Sequence, residues 1–451
     1  MKKSKEELLK EILNYDKTIE LNPTDAIAYN SRGNSKSDLE RHEEAILDYN
    51  KAIEIDSMYA TAYNNRGISK NDLGKHEEAI LDYNKAIEID PTDAKVYYNR
   101  GNSKNDLGKH EEAILDYDKA IELNPTDAAA YINRGNSKSD LERHEEAILD
   151  YNKAIEIDPT DAKVYYNRGN SKSDLGKDEE AILDFDKAIE IDPTDAVAYN
   201  NRGISKSDLG KDEEAILDYN KAIEIDPTDA KAYYNRGISK SDLGKDEEAI
   251  LDYNKAIEID PTDATTYYNR GISKSDLEKH KEAILDYDKA IELNPLYIKA
   301  YNNRGISKSD LERHEEAILD YNKAIEIDPT DATAYINRGI SKSDLERHEE
   351  AILDYNKAIE IDPTDSTIYY NRGISKSDLG KYEEAILDYD KAIEINPIYV
   401  KAYYNRGNDK TKLRKYKEAI ADFDKVIEID PSDDSAYACK KNLLLMLKVN
   451  Q

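Results

Sequence analysis

Apolar residues return along this chain in blocks 34 residues apart. Within one block Ala113, Ile114, Tyr117, Ala120, Ile121 and Leu123 fall at the spacing of a single helix face. The acidic pair Glu111-Glu112 stands in front of them, where it suits the positive end of a helix dipole. A second segment precedes each such block and carries the phrase Tyr-x-x-Arg-Gly, as in Tyr97, Arg100 and Gly101. The phrase occurs twelve times, with its glycine running from Gly33 to Gly407. Setting that glycine as position 8 makes 26–59 the first full unit and 400–433 the last, here numbered repeats 1 to 12. The pattern predicts helix A over positions 1–14 and helix B over 18–31. With one further helix at each end this gives 26 helices, an all-α chain.

The polar positions punctuate the same frame. All twelve prolines fall at position 32, and only the first full unit replaces one, with Ser57. The phrase Pro91-Thr92-Asp93 ends one helix and offers side-chain oxygens to cap the next. Small residues at positions 8, 20 and 27 let the two helices approach, and the ring at position 24 fills the gap beside them. A unit of this size cannot bury its apolar face alone, so neighbouring units must stack. The reading divides the chain into an N-terminal half-unit cap over 1–25, twelve units over 26–433 and a C-terminal cap over 434–451.

Composition narrows the function. The net charge is −31, so DNA, RNA and anionic membrane are poor partners, since phosphate binding needs a basic footprint. Cys439 is the single cysteine, which precludes an intrachain disulfide and a thiolate zinc site. No signal-peptide pattern opens the sequence, and no run of about 18 apolar residues suggests a membrane span. A cytoplasmic location is expected, with export by a signal-free route as the other possibility.

The tyrosine at 4, glycine at 8, alanine at 20, aromatic ring at 24 and proline at 32 resemble the tetratricopeptide repeat (TPR) family. The resemblance covers 26–433. It implies a right-handed superhelix of antiparallel helix pairs whose A helices line a concave groove, which in this family binds an extended peptide or a partner helix. Two positions depart from the family pattern in every unit: arginine at 7 (Arg32 to Arg406) and lysine at 11 (Lys36 to Lys410). Position 7 lies on the packing side of helix A, where an unpaired cation is costly. Position 23 is aspartate in all twelve units, which predicts an Arg–Asp pair inside each, such as Arg32 with Asp48. The alternative is an arginine that clamps a ligand. The lysine at 11 suits the C-terminal end of the helix A dipole.

All seven histidines (His42, His76, His110, His144, His280, His314 and His348) occupy position 17, in the expected A–B turn. Residues one repeat apart do not converge on one metal, so a turn or N-cap role is expected, with no metal and no cofactor. No Ser/His/Asp set or Gly-rich phosphate loop interrupts the repeats, and the chain is not expected to be an enzyme.

The candidate binding face is the side of helix A opposite the core, positions 2, 5, 6, 9, 12 and 13. Position 6 is asparagine in eleven successive repeats: Asn65, Asn99, Asn133, Asn167, Asn201, Asn235, Asn269, Asn303, Asn337, Asn371 and Asn405. A primary amide can donate to a carbonyl and accept from an N–H, so such a ladder can hold a peptide backbone whatever its side chains. The row is similar to the asparagine ladder of the repeat domain of O-GlcNAc transferases. The competing reading is that duplication copied a solvent-compatible residue. Aspartate fills position 13 from Asp38 to Asp378, including Asp208 and Asp242, and favours a basic or neutral partner segment. The lysine and arginine pattern of chaperone-tail clamps is not kept, because position 5 is never lysine and position 6 never arginine.

The expected function is a non-enzymatic scaffold that binds an extended protein segment in the groove. The alternatives are an accessory repeat subunit of an enzyme or secretion complex, and a self-assembling structural array. Leu443-Leu444-Leu445-Met446-Leu447 cannot all face one neighbour and is a candidate self-association patch.

Overall fold

The computed structural model describes residues 3–449. Among them are 26 helices and no strand, numbered in chain order from α1 (Lys5–Leu21) to α26 (Asp434–Val449). The chain divides into two compact units, Met1–Pro227 and Thr228–Gln451. The first holds α1 and the helix pairs of repeats 1 to 6; the second holds those of repeats 7 to 12 and α26. Each is an all-α solenoid. Helix A packs on its own helix B, and within each unit each helix B packs on the helix that follows. Successive A helices within a unit also touch, so the A helices line the inner face of each stack. No helix among the described residues is long and apolar enough to cross a membrane.

The helices are offset slightly from the expected 1–14 and 18–31. In repeat 5 helix A covers Ala162–Asp174, positions 1–13, and helix B covers Asp178–Ile191, positions 17–30. The cause is backbone geometry. Position 15 takes a left-handed φ between 59° and 73° in every repeat, with glycine in six repeats, glutamate in five and Arg414 in the last. The next N–H turns back onto helix A, as Lys75 N donates to the Lys70 carbonyl at 2.9 Å, which closes a Schellman-type end. Helix B stops at position 30, and position 31 takes extended backbone both before proline, as Asp90 with φ −131°, and before Ser57, as Asp56 with φ −132°.

Helix starts follow the capping expectation. Ser4 and Glu7 form a reciprocal capping box on α1 (Glu7 N to Ser4 Oγ 3.2 Å, Ser4 N to Glu7 Oε2 2.6 Å). The aspartate before helix A accepts from its first turn, as Asp161 does from Lys163 N at 2.9 Å. Tyr59, Tyr297 and Tyr399 replace it before three A helices, which have no side-chain cap. Two of those rings pack instead against position 5 of their own repeat, Tyr297 on Tyr268 at 4.8 Å and Tyr399 on Tyr370 at 4.9 Å between centroids.

The core of each repeat is the small-residue contact anticipated from positions 8, 20, 24 and 27. Ala215, Tyr219 and Ala222 are buried. The Tyr219 ring lies so close to Gly203 that a Cβ there would stand 2.6 Å from Cε1. Glycine is therefore required at position 8 by contact, and at position 15 it is favoured by φ.

Candidate functional site

The predicted Arg–Asp pair is present in every repeat and is larger than a pair. In repeat 5 Arg168 Nε donates to Asp184 Oδ2 at 2.9 Å and Nη2 to Oδ1 at 2.5 Å. Nη1 crosses to Asn152 of the preceding helix B at 2.6 Å. The guanidinium also lies 5.6 Å from the Tyr165 ring centroid. Lys172, the position-11 lysine, reaches the same Asp184 carboxylate at 2.9 Å. Its role is thus pairing with a buried aspartate rather than service to the helix dipole alone. Equivalent lysine–aspartate contacts recur in all twelve repeats at 2.7–2.9 Å. These donors are engaged within the protein, which sets aside the arginine as a ligand clamp.

The histidines are the first residues of helix B, one step inside the N-cap. Nδ1 meets position 12 of the same repeat, as His76 does with Asn71 at 2.8 Å. The position-13 aspartate of the next repeat stands close by, Asp106 at 3.7 Å from His76. Among the described residues no group of three metal-ligating side chains is placed to hold an ion.

The position-6 asparagines are half-buried, and most of them donate across a repeat boundary. The acceptors are positions 9 and 5 of the preceding repeat. Asn65 donates to Asn34 (2.9 Å) and Asn30 (3.1 Å), and Asn99 to Asn64 (3.1 Å). Asn133 donates to Asn102 (2.9 Å) and the Tyr98 hydroxyl (3.0 Å), and Asn167 to Asn136 (2.9 Å). Asn201 reaches Asn170 (2.9 Å) and Tyr166 (3.1 Å). Asn269, Asn303 and Asn405 donate to Tyr234 (2.8 Å), Tyr268 (3.0 Å) and Tyr370 (3.1 Å). Asn235 is also engaged. Asn337 differs: its Nδ2 is buried without a partner. For Asn371 the two acceptor positions before it are Ile336 and Ile340. Sequence reading placed these amides on the groove face and missed their acceptors, which lie 31 or 35 residues upstream. The signal was present in the asparagines and tyrosines at positions 5 and 9.

The position-13 aspartates are mostly exposed along the same face, Asp208 among them; Asp242 is engaged in an interaction. Partial burial and the nearby Asp178 carboxylate push the Asp208 carboxyl above its ordinary range. In the first unit a cleft of about 290 Å³ opens on this face, lined by Asn170, Ser173, Asp174, Phe185, Asn201 and Ile204. On the opposite side position 22 presents one exposed leucine per repeat through repeat 11, Leu149 and Leu353 each at 67%. At the C-terminal end Leu443 is buried, whereas Leu444, Leu445 and Met446 are exposed.

Comparison with known proteins follows the geometry. A sequence model of the tetratricopeptide repeat matches residues 94–127, 162–195, 264–297, 298–331, 366–399 and 400–433. A second, described as a TPR repeat, matches 33–70, 69–104, 135–176, 207–240, 241–274 and 343–376. A third, again of the tetratricopeptide repeat, matches 116–148 and 185–216. Together they span 33–331 and 343–433. No curated relative matches the chain. Among solved structures the chain is similar to YrrB, described as a TPR protein with an unusual peptide-binding site. The identity is 30%, over 40% of this chain and 92% of that one, with a TM-score of 0.36. Similarity to the MamA protein is 27% over 38% of this chain and 94% of that one, with a TM-score of 0.36. Yeast Tom70 matches at 19% identity over 94% of this chain and 97% of that one, with a TM-score of 0.41.

Proposed function

The chain belongs to the tetratricopeptide repeat family, and from that premise we propose that it holds an extended protein segment in the groove lined by its A helices. Arrays of this family are protein-interaction scaffolds, and this chain is one. The finer reading is a non-enzymatic scaffold whose asparagine row contacts the segment's backbone and whose aspartate row selects basic or neutral sequences. A cytoplasmic location belongs to the same proposal.

The observation that carries the reading is the cleft beside Asn201. There Asn201, Asp174 and Phe185 line one concave surface. The positions that vary between repeats, 2, 5 and 9, also lie on helix A, while 4, 7, 8, 20, 23 and 24 are nearly invariant from repeat to repeat. Variation on one face over a repeated core is what a surface reading a partner's side chains requires. An amide whose N–H is engaged across the boundary still offers its carbonyl oxygen to a ligand N–H. The exposed Leu444, Leu445 and Met446 support self-association as a second reading.

A photo-crosslinking residue separates the faces. Placed at Val197, on helix A and half exposed, it should capture a basic or neutral peptide; placed at Leu217, on the outer face of helix B, it should not. Capture at Leu217 alone would refute groove binding.

A further inference from the structure

Position 9 changes character along the chain. It is asparagine in repeats 1, 3, 4, 5 and 12, and isoleucine in repeat 2 and in repeats 6 to 11. In the second unit this sets Ile306 and Ile340 on the groove face, 38% and 37% exposed. The change also removes the acceptor that the next asparagine uses elsewhere. Repeats 8, 9 and 12 recover one from the tyrosine at position 5 of the repeat before, namely Tyr234, Tyr268 and Tyr370. Repeats 10 and 11 do not. Asn337 follows Ile306 and Asn302, and the Asn302 amide is turned to Asp331 at 2.6 Å. The Nδ2 of Asn337 and the Oδ1 of Asn302 are both buried without a hydrogen bond. Asn371 follows Ile336 and Ile340.

We propose that repeats 9 to 11 form a capture point for an extended segment of a partner protein, one that packs apolar side chains on Ile306 and Ile340 and gives backbone carbonyls to the amides of Asn337 and Asn371. The proposal rests on the groove reading above. Rotation of the Asn337 amide about its terminal torsion is opposed by no hydrogen bond from Nδ2, and the broad profile of that torsion permits it. Asp310, Asp344 and Asp378 are exposed on the same face, so the segment carries lysine or arginine between its apolar residues. Spacing sets the register. Neighbouring packed helices stand about 8–10 Å apart, and an extended chain of polyproline II type rises about 3.1 Å per residue with three residues per turn. One repeat therefore spans three residues, and the apolar side chains recur at every third position.

The test uses the full chain and a fluorescent peptide of leucine–lysine–serine triplets, about twelve residues long so that it spans the three repeats. A peptide of the same composition in shuffled order serves as control. Two variants are compared with wild type by fluorescence anisotropy, with circular dichroism to verify that helicity is kept. Ile306→Asn/Ile340→Asn restores the asparagine of other repeats and with it the missing acceptors, so it removes the apolar contacts and occupies the free donors at once. Asn133→Ala/Asn167→Ala alters the first unit's row. The triplet peptide should bind wild type at least about tenfold more tightly than the shuffled one, and the isoleucine variant should lose about tenfold. The first-unit variant, whose row belongs to the same groove, should lose less than the isoleucine variant. Loss in the first-unit variant alone overturns the capture point and leaves the groove reading intact. No loss in either variant overturns both. Equal binding of the two peptides, or no binding to wild type, overturns the capture point.

Discussion

Arg168 and Asp184 meet through two parallel hydrogen bonds of 2.9 and 2.5 Å, and Lys172 takes the same carboxylate at 2.9 Å. The Asp184 side chain is 5% exposed, so one buried anion serves two cations from the facing helix. Its removal should be the most damaging single change in the cluster. Asp184→Leu strands both cations and should cost about 3–5 kcal/mol. Arg168→Leu leaves Lys172 on the carboxylate and should cost about 1–3 kcal/mol. Removing all three charges, Arg168→Met/Lys172→Met/Asp184→Leu, should recover much of the loss. Amide hydrogen exchange in helices 162–174 and 178–191 reads these changes locally, which suits an array whose repeats are coupled only to neighbours. Strictly additive effects would remove the cluster from the account.

Position 15 gives a prediction of opposite sign. Glu142 holds φ 59°, a conformation that costs a side-chain-bearing residue about 1–2 kcal/mol. Glu142→Gly should stabilise repeat 4, seen as slower exchange in 128–139 and 144–157. Gly176→Ala, at φ 68°, should destabilise repeat 5 although nothing lies near the added Cβ. A neutral result for both would mean that the turn relaxes without strain.

Asp409 stands where the other eleven repeats have serine. It is 2% exposed; Oδ1 accepts from the Ser377 hydroxyl at 2.7 Å, and Oδ2 has no partner. Burial raises its carboxyl above the ordinary range, against smaller opposing effects of Ser377 and Lys412. A folded-state value above the unfolded one means that folding favours the protonated form. Its destabilising effect is therefore full at neutral pH and fades as pH falls through the raised value toward about 4. Asp409→Ser should raise the thermal midpoint of repeat 12 at pH 7, with a smaller gain near pH 4. A gain independent of pH would show that charge burial is not the cause.

The repeat length, the helix pair, the Gly–Tyr contact and the Arg–Asp pair were legible because each is a pattern within one 34-residue frame. Three features were not. Lys172 joins Asp184 through the packing of helix A on helix B, which periodicity along one helix does not report. The acceptors of Asn133 and Asn201 belong to the preceding repeat, so the sequence places the amides on a face without saying that they are engaged. The helix ends shift because Glu142 and its equivalents take a left-handed turn that glutamate rarely signals. The asparagine engagement also bears on stability. Truncating these residues removes hydrogen bonds between repeats, about 1 kcal/mol each, rather than touching only solvent.

The central claim is that the asparagine face binds an extended segment, and titration calorimetry on the two rows separately tests it most directly. The ligand is the peptide captured from Val197. One variant replaces Asn99, Asn133, Asn167 and Asn201 by alanine, the other Asn269, Asn303, Asn337 and Asn371, each assayed well below its own unfolding onset. At least one row should lose about tenfold or more in affinity, with binding that weakens further as salt rises. Wild-type affinity in both variants would contradict the account: the row would then be a packing device copied with the repeat, and the binding surface would lie with the exposed leucines of the outer face or with Leu444–Met446.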